Sequence, residues 1–551
     1  MKFLTKIYDK IINKKKYLIA FLILIGIISS ISVFAPSIRY SHDILFHLSR
    51  IEGIKDGLSM GVIPSVYSNY LGGYGYANPL FYPDIFLYIP GVLRYLGLGL
   101  SFSYKTLLLL TSIFSVITMY ICVKGISKNK YAAIVSSILY GFSSYRLLDM
   151  FVRAAIGETI AFVFTPLVIY GIYKIIFEDY KKFYILVIGM SGLILSHLIS
   201  TYIIAIILII LCLINIKQFI QEKQRIKYLI IAALCTILIT GFFIFPMLEQ
   251  MMSSKFAFND ITNAGLGNLS DRAVPLYALF NEMIGFNGKW WIPSGIGIVF
   301  IILIILIIKH RNVNDRIIKQ FSIISIIFLL LSCNIFPWKL FDNMSLLTII
   351  QFPWRFYLVP TLLLSIAGGM LFQKVYESKK SRVKALLVIT ILSLISCGVI
   401  NGRVIFTSTI NLDKYYISQG EYLPLGLTRD YIEERGDIIT SNNQIIFTQN
   451  RVDNKMIIDF ENNYNDTYLE LPFIYYKGYT AKVDNEYLNV TKSDNGLVLV
   501  ELKDKNTGTL TVKYEKTPII YISAGVSIIS VLVFSIYIYK IRKVEKNEEN
   551  I

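Results

Sequence analysis

The sequence predicts an α-helical polytopic membrane protein with a small β-sandwich outside the bilayer near its C-terminus. Three observations carry that expectation. Of 551 residues, 55% are hydrophobic and only 17% are charged, and the mean hydropathy is +0.58. An ordinary soluble domain has about 25% charged residues, so this chain has too few charges to cover a water-facing surface of its size. The apolar residues gather in runs near the ~20 residues that a bilayer demands. Residues 402–517 alone depart from that grammar, with short alternating segments between turn residues. Disorder, collagen and a disulfide-stapled scaffold are excluded. Cys122, Cys212, Cys235, Cys333 and Cys397 all lie inside apolar runs, where neither a structural disulfide nor a thiolate metal site is expected.

Twelve runs are read as spans: 17–35, 105–123, 131–148, 158–177, 183–197, 199–216, 228–247, 292–308, 318–336, 354–373, 383–401 and 518–539. The nearly unbroken stretch 183–216 is too long for one span and is folded as a hairpin at Ser196-His197-Leu198. The first run is read as a retained anchor, because its apolar core exceeds that of a cleaved signal peptide. The net charge of +17 resides in short basic clusters between the runs, which are topology signals rather than a nucleic-acid surface. With the N-terminus inside, 29 of the 54 Lys and Arg residues fall in inside segments. This places the protein in the cell membrane as a multi-pass protein with both termini cytoplasmic. Residues 80–98 contain Pro83, Asp84, Pro90 and Arg94. Were they to cross, the later basic loops would face outward, so they are read as a helix in or dipping into the outer interface.

The expected organisation is a membrane domain, 1–401, with outer loops 36–104 and 248–291. A β-rich domain, 402–517, and a final span with a basic tail, 518–551, follow it. Strands are expected at 444–447, 455–460, 468–476, 479–483, 497–502 and 509–514, with turns at 484–485, 493–496 and 506–508. This domain serves either acceptor recognition, as a lid over a membrane site, or as a structural appendage.

The polar chemistry gathers on the outer side. If residues 41–51 are helical, Asp43, His47 and Arg50 stand at i, i+4 and i+7 on one face, with Ser41 as cap. A carboxylate, an imidazole and a guanidinium there suit a reaction that removes a proton and stabilises a phosphate, although the same spacing describes a solvated surface pair. Arg153 and Glu158 flank a small-residue stretch at an outer turn, where Asp149 and Arg153 also fit a local i,i+4 pair. His197 sits at the hairpin tip, and Arg355 in Gln351-Phe352-Pro353-Trp354-Arg355-Phe356 re-enters the membrane. Polar groups at that depth need a partner or a ligand, and an anionic lipid headgroup suits the arginine forks. The stretch Gly72-Gly73-Tyr74-Gly75-Tyr76 lacks a P-loop pattern and is read as a flexible aromatic loop over the site. No metal-ligand spacing is present, and neither a metal nor another cofactor is expected.

A basic N-terminus, one span and a long outer loop opening on an acidic residue resemble the GT-C superfamily of membrane glycosyltransferases. More closely, the segments SHDILFHLSRI, GGYGYANPLFY, RAAIGETIAFVFTPLVIYG, SHLIST, QFPWRF, EYLP and YYKGYTAKVDN resemble the YfhO-like multipass proteins, including those labelled membrane protein, 6-pyruvoyl-tetrahydropterin synthase-related. Nothing in the chain looks like a soluble pterin synthase core. The GT-C resemblance implies transfer of a sugar from a polyprenyl-phosphate-linked donor to an envelope glycolipid or polymer acceptor on the outer face. Asp43 then serves as general base or orients the acceptor hydroxyl, with Glu158 as second catalytic carboxylate. His47, Arg50, Arg153, His197 and Arg355 bind the substrate and its leaving phosphate. No DxD pair stands at Asp43, and Asp56 and Asp84 are further carboxylates in that loop. Membrane lipids are the remaining partners, and nucleic acid is not one. Two other readings are a transporter or flippase of a lipid-linked precursor and a non-catalytic envelope scaffold. Against the former, the chain shows no internal repeat and its charges gather on one rim.

Overall fold

The computed structural model describes residues 2–259, 268–280, 295–410, 420–452 and 454–549. The last part of the expected outer loop, 281–291, and the first residues of the run expected at 292–308 lie outside the described residues. The chain forms two compact units from separated stretches: 1–44, 100–236 and 267–413 make the first, and 45–99, 237–266 and 414–551 the second.

Helices dominate both units. Five described helices are long and apolar enough to cross a membrane: Leu100–Ser127, Ile156–Phe177, Pro353–Val375, Lys379–Phe406 and Pro518–Val544. The pair Gln224–Ile239 and Gly241–Ser253, bent by 73°, makes a sixth if it is one broken span. The other expected runs are helical but shorter. Local causes interrupt them. Lys15–Ser29 ends where Ser29 and Ser30 hydroxyls donate back to Gly26 O at 3.0 and 2.7 Å. The 183–216 stretch breaks after Ile194, and Leu198–Ile214 starts on the His197 cap. Residues 80–98 hold only short pieces, such as Tyr88–Tyr95.

Within the first unit, small residues let helices pack backbone to backbone. A Cβ at Gly171 would run into the backbone of Leu186, and one at Gly189 would meet Val168 N at 2.7 Å. Arg146 is fully buried on neutral acceptors, Ser29 Oγ at 3.1 Å, Tyr140 O at 3.3 Å, Ser112 Oγ at 3.4 Å and Gly141 O. It thereby ties three segments far apart in the chain.

The second unit holds the β region. Its strands are β1 (Thr440–Ser441), β2 (Ile446–Val452), β3 (Lys455–Glu461), β4 (Tyr468–Ile474), β5 (Tyr479–Val483), β6 (Glu486–Leu488), β7 (Val490–Lys492), β8 (Leu497–Glu501) and β9 (Thr507–Tyr514). They form two antiparallel sheets, ordered β1-β4-β8-β7 and β2-β3-β9-β5-β6. Period-2 patterning explains the burial: Met456, Ile458 and Phe460 of β3 turn inward opposite Val512, Leu510 and Gly508 of β9. Leu469 and Leu471 of β4 and Val498 and Val500 of β8 enter the same core. The β5–β6 turn places Asp484 and Asn485 at φ +48° and +71°, the left-handed pair that a tight hairpin needs. The turn expected at 506–508 closes earlier, at Asp504 (φ +56°), and Thr507-Gly508 open β9.

The glycine-rich loop differs from its expectation. Tyr74, Tyr76, Leu80 and Phe81 are core residues of the second unit, packed with the strand residues. Tyr74 OH donates to Gly436 O at 2.6 Å, Ile474 N donates to Tyr74 O at 3.0 Å, and Arg451 donates to Gly73 O. The aromatic rings that suggested a mobile cover are instead apolar mass for the core.

Two predictions follow from packing and charge. Burial acts to raise the Glu470 carboxyl, but hydrogen bonds from Ser493, Arg435 and Asn495 outweigh it and hold the group below the usual carboxylate range. Its stabilisation is therefore present above about pH 4.3 and is lost as pH falls through the lower folded value. Glu470→Gln should cost about 2 kcal/mol and weaken that acid dependence, read by hydrogen exchange of β4 and β8 in the full chain against pH. Gly171→Leu should separate its helix from the one bearing Leu186 and abolish monodisperse protein on size exclusion, whereas an unaltered elution profile would contradict this packing.

Candidate active site in the first unit

The site is built on a reversal of the chain between two helices. Helix Ser144–Leu148 runs into a π-helical turn, Asp149–Arg153. Ala154 then adopts φ +52°, and Ala155 N donates to Asp149 O at 3.0 Å before helix Ile156–Phe177 begins. A left-handed non-glycine residue costs of order 1–3 kcal/mol. Glu158 falls in the first turn of the second helix, where the helix dipole favours a carboxylate.

This reversal brings two carboxylates onto one guanidinium. Arg153 Nη1 donates to Asp149 Oδ1 and, at 2.7 Å, to Glu158 Oε2. Tyr145 OH donates to Glu158 Oε1. Asp149 and Glu158 are both buried. Segment 350–357 completes the cluster. Gln351 takes φ +63°, and Pro353–Tyr357 forms a 3-10 turn. Arg355 lies with Nε 3.7 Å from Glu158 Oε2, while its Nη1 donates to Ile350 O at 2.9 Å and Gln351 Oε1 at 2.5 Å. The Arg153 guanidinium stacks on Trp354 at 4.2 Å, and Arg355 and Arg272 approach the Phe352 ring at 5.0 and 4.6 Å. His197 caps its helix, its Nδ1 accepting from Ser200 N at 3.2 Å, and its ring lies within electrostatic reach of Glu158, Arg355 and Arg153.

Asp43 is held at the edge of this cluster by its backbone. Asp43 N donates to Arg153 O at 2.8 Å, His42 N to Val152 O at 3.3 Å and Ser41 Oγ to Phe151 O at 2.9 Å. The Asp43 side chain is exposed, and its charge acts on both Arg153 and Arg355. Two expectations are corrected. Helix Ile44–Ser59 starts after Asp43, so Asp43 shares no helical face with His47 and Arg50. Ser41 bonds to Phe151 O and does not cap that helix. The cause of both is the pairing of residues 41–43 with 151–153, which holds them in a turn.

Among the expected site residues, Asp43, Arg153, Glu158, His197 and Arg355 lie in the first unit, and His47 and Arg50 in the second. There Arg50 is buried and committed: Nε donates to Asp84 Oδ1 at 2.9 Å, Nη2 to Pro83 O at 2.8 Å and to Asp84, and Nη1 contacts His47 Nδ1 at 3.1 Å. Tyr82 stacks on its guanidinium at 4.2 Å, and Tyr67 OH donates to Asp84.

Among the described residues, the buried Asp149 Oδ2, Trp354 Nε1 and Arg355 Nε of this cluster meet no hydrogen-bond partner. Sequence reasoning missed Tyr145, Arg272 and the ring of Trp354. It weighed Asp149 only as a local partner of Arg153. Tyr145 and Trp354 share only the signal of an aromatic residue next to a span end, which is too frequent to single them out, and Arg272 lies within an expected outer loop with no such signal. No three His, Cys, Asp or Glu side chains come together to hold a metal among the described residues.

The family model described as "Bacterial membrane protein YfhO" matches residues 73–420. An uncharacterized protein of Lactococcus lactis subsp. cremoris (strain MG1363) is 27% identical over 356 residues, covering 59% of this chain and 56% of the relative. The match thus spans little more than half the length of that relative.

Proposed function

The chain belongs to the YfhO family of bacterial membrane proteins, and from that premise we propose that it is a membrane glycosyltransferase. It moves a sugar from a polyprenyl-phosphate-linked donor to an envelope acceptor on the outer face of the membrane. One observation supports this most: an exposed carboxylate, Asp43, is fixed by its backbone beside buried guanidiniums, one of which has an unsatisfied N–H.

The roles follow from the placement. Asp43 takes the proton of the acceptor hydroxyl as its oxygen attacks the anomeric carbon. The bond from that carbon to the phosphate oxygen breaks, and the phosphate leaves with the electron pair. Arg153 and Arg355 meet the charge that develops there, with Arg272 beside them on the Phe352 ring. Glu158 has both oxygens engaged by Tyr145, Arg153 and Arg355. It is a positioning residue for the two guanidiniums rather than a second base. His197 is bound to its helix cap and lines the same cluster. The committed donors of Arg50 give it a structural role in the second unit.

Asp43→Asn should leave the protein folded and lower sugar transfer by about 10²–10⁴-fold. The measurement is the sugar content of envelope glycolipid and glycopolymer in cells carrying the variant, and wild-type sugar content in a folded variant would refute the assignment. Glu158→Gln removes the anion that pairs buried cations, a loss of about 3–5 kcal/mol. Thermal unfolding of the purified full chain should show a clear drop for Glu158→Gln and none for Asp43→Asn.

A further inference from the structure

The second unit contains a cavity of about 680 Å³ whose lining includes the 53–70 segment, strand residues and the start of the last helix. This is within the range of about 300–1,000 Å³ typical of small-molecule sites. The wall is built by close approach. A Cβ at Gly53 would meet the Tyr67 ring at 2.6 Å, and one at Gly57 would meet Pro64 at 2.7 Å. Those two glycines let the segment that turns back after helix Ile44–Ser59 lie flat against it.

Aromatic rings line the cavity from several elements: Tyr70, Phe473 of β4, Tyr514 of β9 and Tyr521 of the final helix. Tyr521 is 65% exposed. Amide, carboxylate and ammonium groups stand among the rings, from Asn69, Asp56 and Lys516. An aliphatic lipid tail would offer the amide and ammonium groups no hydrogen-bond partner. A nucleotide or other polyanion would need surplus cations, yet Lys513 is paired with Glu515 at 2.9 Å and Lys55 with Asp56 at 2.8 Å. A neutral polyhydroxylated ring satisfies both halves of the lining. Its apolar C–H face lies on an aromatic ring, and its hydroxyls bond to the amide, carboxylate and ammonium groups.

We infer that this cavity is a carbohydrate-binding site, and that it holds a saccharide unit of the acceptor. The second clause rests on the glycosyltransferase reading; the binding itself does not.

The test uses the full chain in detergent micelles, with maltotriose and chitotriose as probes, by saturation-transfer NMR and calorimetry. At least one trisaccharide should bind saturably. Tyr521→Ala, at an exposed ring, and Asn69→Ala should each weaken it tenfold or more, while Lys503→Ala, exposed and outside the lining, should bind as the wild type does. Failure of both trisaccharides to bind, or wild-type binding by both Tyr521→Ala and Asn69→Ala, would overturn the inference. Sugar transfer that depends on Asp43 but persists without trisaccharide binding would remove only the cavity site. Trisaccharide binding lost in Tyr521→Ala, in a protein that transfers no sugar, would leave a carbohydrate site and remove the transferase.

Discussion

Burial of the Glu158 carboxylate is the constraint on which the first unit's polar site depends. A carboxylate shielded from water must be paired and hydrogen-bonded, because leaving it alone costs several kcal/mol. Tyr145, Arg153 and Arg355 meet that requirement from two distant stretches of chain. The π turn and the left-handed Ala154 are the backbone consequences, since an uninterrupted helix would not bring Asp149, Arg153 and Glu158 onto one centre. Asp43 then follows through its backbone, because residues 41–43 are stitched to the same turn by backbone and Ser41 contacts.

The two units contain buried arginines in contrasting states. Arg50 has Asp84, Pro83 O and His47 around its fork and Tyr82 across its face. A ligand would have to break these contacts to reach the guanidinium. Arg355 spends Nη1 on the neutral acceptors Ile350 O and Gln351 Oε1 and leaves Nε unsatisfied at 3.7 Å from Glu158. Under the proposed function, that unspent N–H is where the leaving phosphate would bind. That difference in hydrogen-bond accounting separates the two arginines, which the sequence presents as equals.

Much of the architecture is legible from local pattern. The composition forces a membrane-type chain, and the alternation in Lys455–Glu461 and Thr507–Tyr514 reads directly as strands because period 2 is visible within a few residues. Helical breaks are harder to read. The apolar run at 17–35 looks continuous because the serine hydroxyls that end its helix do so by bonding backward along the backbone, which hydropathy does not register. Pairing between residues 41–43 and 151–153 is a long-range event, and it overrode a helical spacing that was sound locally. The glycine-rich loop misleads for a similar reason: whether Tyr74 and Tyr76 cover a site or fill a core depends on strands some 400 residues later. Arg153, Glu158 and Arg355 stood out because charge next to apolar runs is costly, whereas Tyr145 and Trp354 carry no charge to reveal them.

In the proposed transfer, the Arg153 and Arg355 guanidiniums receive the phosphate of a polyprenyl carrier. The most direct measurement is an electron cryo-microscopy structure of the full chain with polyprenyl monophosphate bound. Phosphate density is expected at charge-assisted hydrogen-bond distance, about 2.7–2.9 Å, from Arg355 Nε or an Arg153 nitrogen, with the Asp43 carboxylate facing the same space. Phosphate density away from both guanidiniums, with Arg153 and Arg355 still bound to Glu158, would contradict it.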